Sequence, residues 1–204
     1  MSKPAQTPKT QPRAWQRMLS GRRLNLLDPS PLDVEISDIA HGLARVARWN
    51  GQTQGEHAYS VAQHSILVLD IAIAMEPSLT TQMQLIALLH DAPEYVIGDM
   101  ISPFKSVMGG NYREVEDRLT NAIHMRFSLP VDVPKAKLRL IKQADKASAF
   151  IEAIQLAGFD EAEAEQIFGA PKLHPLTDFD VTPLSTADAQ RAFVERFDML
   201  EKAL

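Results

Sequence analysis

The sequence predicts an all-α protein, and three observations predict it. Apolar residues recur at helical spacing in one segment after another. Capping and breaking residues stand at the ends of those segments. No stretch shows the alternating apolar-polar pattern of a half-buried strand. At 204 residues the chain is one domain, or one domain with appendages.

The elements follow in order. Residues 1–12 are polar, carry Pro4, Pro8 and Pro12, and are expected to be flexible. Trp15 to Leu27 has few signals and reads as a helical turn or a short extended arm, followed by a turn at Asp28-Pro29-Ser30-Pro31. Ile36, Ile39, Ala40, Leu43, Val46 and Ala47 predict a helix from Asp33 to Trp49, with Arg45 and Arg48 near its C-terminal dipole and Gly51 as its stop. Ser60 caps a second helix whose stripe runs from Val61 through Val68 and Ala72 to Met75. His64 stands beside that stripe.

A central helix is expected from Thr80 to Asp91, ended or kinked by Pro93, which has no N–H to donate. Gly98 to Lys105 reads as a loop. An amphipathic helix spans Asn111 to Phe127, and a long one runs from Lys135 to Ala157 with Leu138, Ile141, Ala144, Ala147, Ser148 and Ile151 inward. Asp145 sits next to Ala144 on that side. A short helix at 161–168, a proline-bearing loop from Pro171 to Pro183, and a last helix opened by Ser185 and running through Phe193, Phe197 and Leu200 complete the chain.

Composition narrows the function. A net charge of −5 gives no overall basic field, so neither a nucleic-acid polymer nor an anionic membrane is an expected partner. The absence of cysteine excludes disulfides, thiolate metal sites and cysteine nucleophiles, and fits the cytoplasm. Met1 to Pro12 lacks the apolar core of a secretory signal, and no apolar run is long enough to span a bilayer.

The apolar run Leu85-Ile86-Ala87-Leu88-Leu89 ends in His90-Asp91. Polar groups at the end of a buried helix need partners, since each costs about 2–7 kcal/mol of desolvation when unpaired. A hydrogen bond between neighbours is one solution, and a metal ion is another. Taken singly, His64 is an ordinary core histidine and Asp145 an ordinary buried acceptor. Together, His64, His90, Asp91 and Asp145 lie on or beside the apolar faces of three predicted helices. Two imidazoles and two carboxylates aimed at one interior make a nitrogen–oxygen site for a divalent metal, with positions left for water.

These residues in this order resemble the H…HD…D signature of the HD-domain metal-dependent phosphohydrolases. The flanking segments Arg48-Trp49, Ser60-Val61-Ala62-Gln63-His64-Ser65, His90-Asp91-Ala92-Pro93-Glu94, Gly98-Asp99, Ser102-Pro103-Phe104-Lys105 and Lys142-Gln143-Ala144-Asp145-Lys146 are similar to the bacterial 5′-deoxynucleotidase branch. The resemblance implies an HD-domain helical bundle with a divalent metal site between its helices. It covers residues 36–157, the expected catalytic core; an N-terminal arm at 1–35 and a helical extension at 158–204, expected to pack on the core, lie outside it. The implied activity is hydrolysis of a phosphomonoester, most naturally of a nucleotide.

The resemblance also assigns roles. His64, His90, Asp91 and Asp145 would hold one divalent ion, with manganese, cobalt, magnesium, iron and nickel all compatible with the donor set. Glu94 and Asp99 would orient or deprotonate the attacking water. Arg48, Trp49 and Lys105 would contact the substrate, Arg48 bidentately, Lys105 as a point charge and Trp49 by stacking. Each of these has an ordinary reading too: a residue after a helix, a turn aspartate, a helix-end arginine, a core tryptophan, a loop lysine. Gln63 departs from the branch, which has Glu at that position. His41, His57, His124 and His174 have no matching partner and read as surface or packing residues. A di-iron oxygenase would need more histidines between Asp91 and Asp145, where only His124 stands. The alternative to an enzyme is a nucleotide-binding regulator with a structural metal. The pattern leaves monomer or homodimer open.

Overall fold

The side chains of Ser60, Thr80, Asp160 and Ser185 cap the helices that follow them. In the computed structural model, which describes residues 13–100, 111–171 and 179–204, eight α-helices and one two-stranded sheet make up the regular structure among the described residues. The architecture is all-α, as the sequence predicts. The arm 1–12, the segment Ser102 to Lys105 and His174 lie outside the described residues.

Of the two readings for Trp15 to Leu27, the extended arm is the one observed. Strand β1 (Trp15–Arg17) pairs antiparallel with β2 (Arg23–Asn25), Trp15 opposite Asn25 and Arg17 opposite Arg23. Strands of three residues are too short to show an alternating pattern. Leu24 is fully buried and pins the hairpin to the core. Buried Asp38 accepts hydrogen bonds from the Ser20 backbone N–H at 2.9 Å and the Ser20 hydroxyl at 2.5 Å.

Helix α1 (Ile36–Leu43) is shorter than the expected Asp33–Trp49 element. Its apolar spacing continues through Val46 and Ala47, but a non-local pairing captures those residues. Ala47 bridges Ser60, the Arg48 N–H donates to the Tyr59 carbonyl at 2.8 Å, and the Val61 N–H donates to the Val46 carbonyl at 3.0 Å. A 3-10 turn follows at Arg48–Gly51, with Trp49 (φ 55°) and Asn50 (φ 51°) in the left-handed region. That conformation is uncommon for a bulky side chain.

Helix α2 (Val61–Met75) is the hub. Ser60 caps it by accepting from the Gln63 N–H, and ten of its residues are buried. It packs against α1, α3 (Thr81–Leu88), α6 (Lys135–Gln155) and α8 (Thr186–Glu201). A helix apolar on nearly every side belongs inside a bundle.

The expected Thr80–Asp91 helix stops at Leu88, and turns carry the chain to α4 (Glu94–Ile97). Adjacent residues in a continuous helix point about 100° apart. Leaving the helix is what lets His90 and Asp91 face one site. Helix α4 lies on α1 at Gly42, where an added Cβ would stand 2.7 Å from both Cβ and O of Tyr95. Only glycine permits that approach.

Helix α5 (Asn111–Arg126) precedes α6, and α7 (Glu161–Phe168) packs back on α6. Phe193, Phe197 and Leu200 of α8 are buried within this chain, so the last helix belongs to its core. No helix among the described residues is long and apolar enough to cross a membrane.

Candidate metal centre

His64 projects from α2, His90 and Asp91 from the turns after α3, and Asp145 from α6. His64, His90 and Asp145 bring one donor atom each within 4.8 Å of one another. Asp91 Oδ2 stands 3.4 Å from His64 Nε2 and 3.2 Å from His90 Nε2, while Asp145 Oδ1 is 3.3 Å from His64 Nε2. The structure therefore gathers all four residues singled out in the sequence.

The outer hydrogen bonds decide what the inner atoms offer. His90 Nδ1 lies 2.9 Å from the Ala87 carbonyl, which can only accept, so Nδ1 carries the proton and Nε2 presents a lone pair. His64 Nδ1 donates to Glu152 Oε1 at 2.6 Å. Both Nε2 atoms are buried without a hydrogen-bond partner and face carboxylate oxygens. Lone pairs converging on carboxylates are mutually repulsive unless a cation sits among them. The donor set fits a divalent first-row metal. In the absence of metal a proton on His64 serves instead: burial and Arg48 push its pKa down, but Glu152, Asp145 and Asp91 hold it well above the usual imidazole range. Burial raises the Asp91 carboxyl, and His90 and His64 more than reverse that, leaving it well below the ordinary value.

Glu152 was not evident from the sequence. It is completely buried, one turn from Ser148 and two from Asp145 on the same face of α6. Its Oε1 accepts from His64 Nδ1 and, at 3.2 Å, from the Ser148 hydroxyl. Its Oε2 accepts from Trp49 Nε1 at 2.9 Å and Arg48 Nε at 3.3 Å. Burial raises its pKa, yet the charges of His64 and Arg48 and these hydrogen bonds bring it down to about 2. Its one trace in the sequence is its spacing of seven residues from Asp145, with Ser148 between them on the same helical face.

The centre opens into a cleft of about 830 Å³. Asp91, Asp145, Glu94, Asp99, Arg48 and Trp49 all line it. Glu94 is buried at the start of α4. Arg48 Nη1 donates to Asp99 Oδ2 at 2.8 Å. Its guanidinium is buried, which lowers its pKa, but Glu152 and Asp99 raise it further above its ordinary value. Trp49 packs edgewise against Phe168, with ring centroids 5.9 Å apart, and against Phe159 at 5.6 Å. Phe159, Ile167 and Phe168 form the apolar wall of the cleft, and the exposed Lys142 and Lys146 stand on its α6 side. Lys105 lies outside the described residues.

The remaining expectations resolve simply. Buried His124 is hydrogen-bonded through Nδ1 to the Pro130 carbonyl at 2.8 Å, a packing role. Gln63, the departure from the branch pattern, donates to the Thr182 carbonyl and accepts from the Leu184 N–H, each at 3.0 Å. Its amide holds the segment leading into α8.

A helical bundle with His64, His90-Asp91 and Asp145 gathered at its centre has the architecture of the HD-domain class. A family model described as 5′-deoxynucleotidase YfbR-like matches residues 38–169, and the chain belongs to that family, a family of hydrolases. The chain is also 54% identical over 192 residues to an uncharacterized protein of Rhodobacter capsulatus, covering 94% of this chain and 98% of that one.

Proposed function

We propose that this protein is a metal-dependent phosphohydrolase that releases phosphate from a nucleoside 5′-monophosphate, with a deoxynucleotide the preferred class. The observation that carries the reading is the pair of buried Nε2 lone pairs facing Asp91 and Asp145 at the floor of a cleft that also holds Arg48 and Glu94. The family's description supports the nucleotide.

His64, His90, Asp91 and Asp145 would hold the divalent ion, which supplies Lewis acidity to the phosphoryl oxygen and lowers the pKa of a water. Arg48, kept cationic between Asp99 and Glu152, draws the phosphate into the cleft. Lys142 and Lys146 add positive charge on the α6 side. Glu94 is the base that takes a proton from the attacking water as the new O–P bond forms and the ester P–O bond breaks, its electron pair leaving on the nucleoside 5′-oxygen, which takes up a proton to become the alcohol. Asp99 is engaged by Arg48, so its part is to orient that guanidinium and the substrate beside it. The aromatic wall of Trp49, Phe159 and Phe168 suits a planar, apolar base or a sugar face. A cleft of this volume accommodates a mononucleotide.

The test is phosphate release from deoxyribo- and ribonucleoside 5′-monophosphates, after stripping metal and restoring manganese, cobalt or magnesium. Release is expected to require metal and to vanish in His90→Ala and Asp145→Ala. Activity surviving either substitution overturns the reading. Tight nucleotide binding without turnover in every metal would make the protein a regulator instead.

A further inference from the structure

We propose that Glu152 is a positioning residue that couples metal occupancy to the substrate wall of the cleft, by holding His64 with one carboxylate oxygen and Arg48 and Trp49 with the other. The inference rests on the metal-site reading above and goes beyond it, because it links two halves of the site that share no direct contact in that reading.

The geometry is a two-sided clamp. Oε1 receives the His64 imidazole N–H at 2.6 Å, and Oε2 receives the Trp49 indole N–H at 2.9 Å and Arg48 Nε at 3.3 Å. The carboxylate has no access to solvent, so no water can substitute for a lost donor without rearrangement. When a cation takes the proton's place at His64 Nε2, the polarity of the Nδ1–H changes, and with it the electron density drawn toward Oε1. The Trp49 and Arg48 bonds to Oε2 must respond, since both oxygens belong to one conjugated group. Trp49 is held at φ 55° and Arg48 is bound at its far end by Asp99, so neither drifts freely, and a change at Oε2 is felt at the cleft wall. Linkage makes the effect reciprocal: ligands that seat Arg48 and Trp49 also favour metal.

Glu152→Gln separates the two sides. An amide has one acceptor oxygen and one NH2 group, so one side of the clamp keeps its acceptor while the other faces donor against donor. The volume is unchanged.

The experiment uses the full chain, labelled with 15N and stripped of metal, titrated with Zn2+, which is diamagnetic. Two indole N–H signals are expected, from Trp15 and Trp49, and Trp49→Phe assigns them. The Trp49 signal should move in step with metal occupancy while the Trp15 signal stays fixed. In Glu152→Gln, metal affinity by chelator competition should fall about 10–100-fold, and at saturation the Trp49 signal should no longer follow. Bound metal with an unmoved Trp49 signal in the wild-type chain overturns the coupling alone. So does an equal movement in Glu152→Gln. No binding of Zn2+ or Mn2+ overturns the metal-site reading as well. If Glu152→Gln does not fold, Glu152→Asp, which keeps the charge but withdraws both oxygens, is the comparison, and the wild-type titration still decides.

Discussion

Arg48 Nη1 lies 2.8 Å from Asp99 Oδ2, with the two side chains only 14% and 6% exposed. The same guanidinium meets fully buried Glu152 through Nε. One cation thus serves two carboxylates that have little solvent to fall back on. Removing it takes that partner from Asp99 and leaves Glu152 with the His64, Ser148 and Trp49 donors alone, and breaking a buried pair from one side costs about 3–5 kcal/mol. Arg48→Ala should lower unfolding free energy by that amount in urea titrations. Arg48→Lys should fall between, because a single ammonium cannot reproduce the planar fork that reaches both partners. Equal stability of wild type and Arg48→Ala would show that the ion pairs do not persist in solution.

Gln63→Glu separates structure from catalysis. The Gln63 amide gives a proton to the Thr182 carbonyl and takes one from the Leu184 N–H. A carboxylate keeps the second bond and turns the first into repulsion between oxygens. The cost of a buried unmet acceptor is about 1–3 kcal/mol. Stability in urea should fall by that amount while kcat/KM at permissive temperature changes little. A large loss of kcat/KM with unchanged stability would instead place Gln63 at the reaction.

The metal-type residues were legible because each stands in sequence beside an apolar helical face, and His90-Asp91 ends the most apolar run of its region. Glu152 was not, because Phe150, Ile151 and Ala153 surround it and a lone carboxylate in a long helix reads as solvent-facing. Its partner His64 is 88 residues away, beyond any local pattern. The early end of α1 was hidden for the same reason: Val46 and Ala47 keep helical spacing, and only the bridge to Ser60 diverts them. The α7 side of the cleft was equally invisible, since Phe159 and Phe168 acquire meaning only when α7 folds back on α6.

The acid limb of stability should carry the signature of Glu152. Its carboxyl titrates at about 2 in the folded chain, against 4.5 ordinarily. Above pH 4.5 it is ionised in both folded and unfolded chains, and its contribution is complete. As pH falls toward 2 the unfolded chain takes up the proton first and the contribution is lost, in total about 3 kcal/mol. His64, whose pKa is raised on folding, contributes fully throughout this acid window and loses its share only as pH rises, so it does not alter the slope. Metal-free wild type should lose about 3 kcal/mol more than Glu152→Gln between pH 5 and pH 2, as read from urea midpoints. Parallel curves would mean that Glu152 is not ionised in the folded state.

The apolar wall of the cleft should govern KM and leave the phosphate end alone. Phe159 and Phe168 are half-buried and Ile167 is 56% exposed at the rim, an arrangement that leaves ring faces available beyond the indole of Trp49. Stacking of a base on an aromatic ring is worth about 1–3 kcal/mol. Phe168→Ala should therefore raise KM for a nucleoside monophosphate about 5–150-fold, with kcat changed far less, because the lost contact is the same in ground and transition states. Inhibition by inorganic phosphate, which reaches only the Arg48 end, should be unchanged in the same variant. If Phe168→Ala weakens phosphate and nucleotide equally, the wall acts through Trp49 and the clamp behind it. If it weakens neither, the base lies outside the cleft.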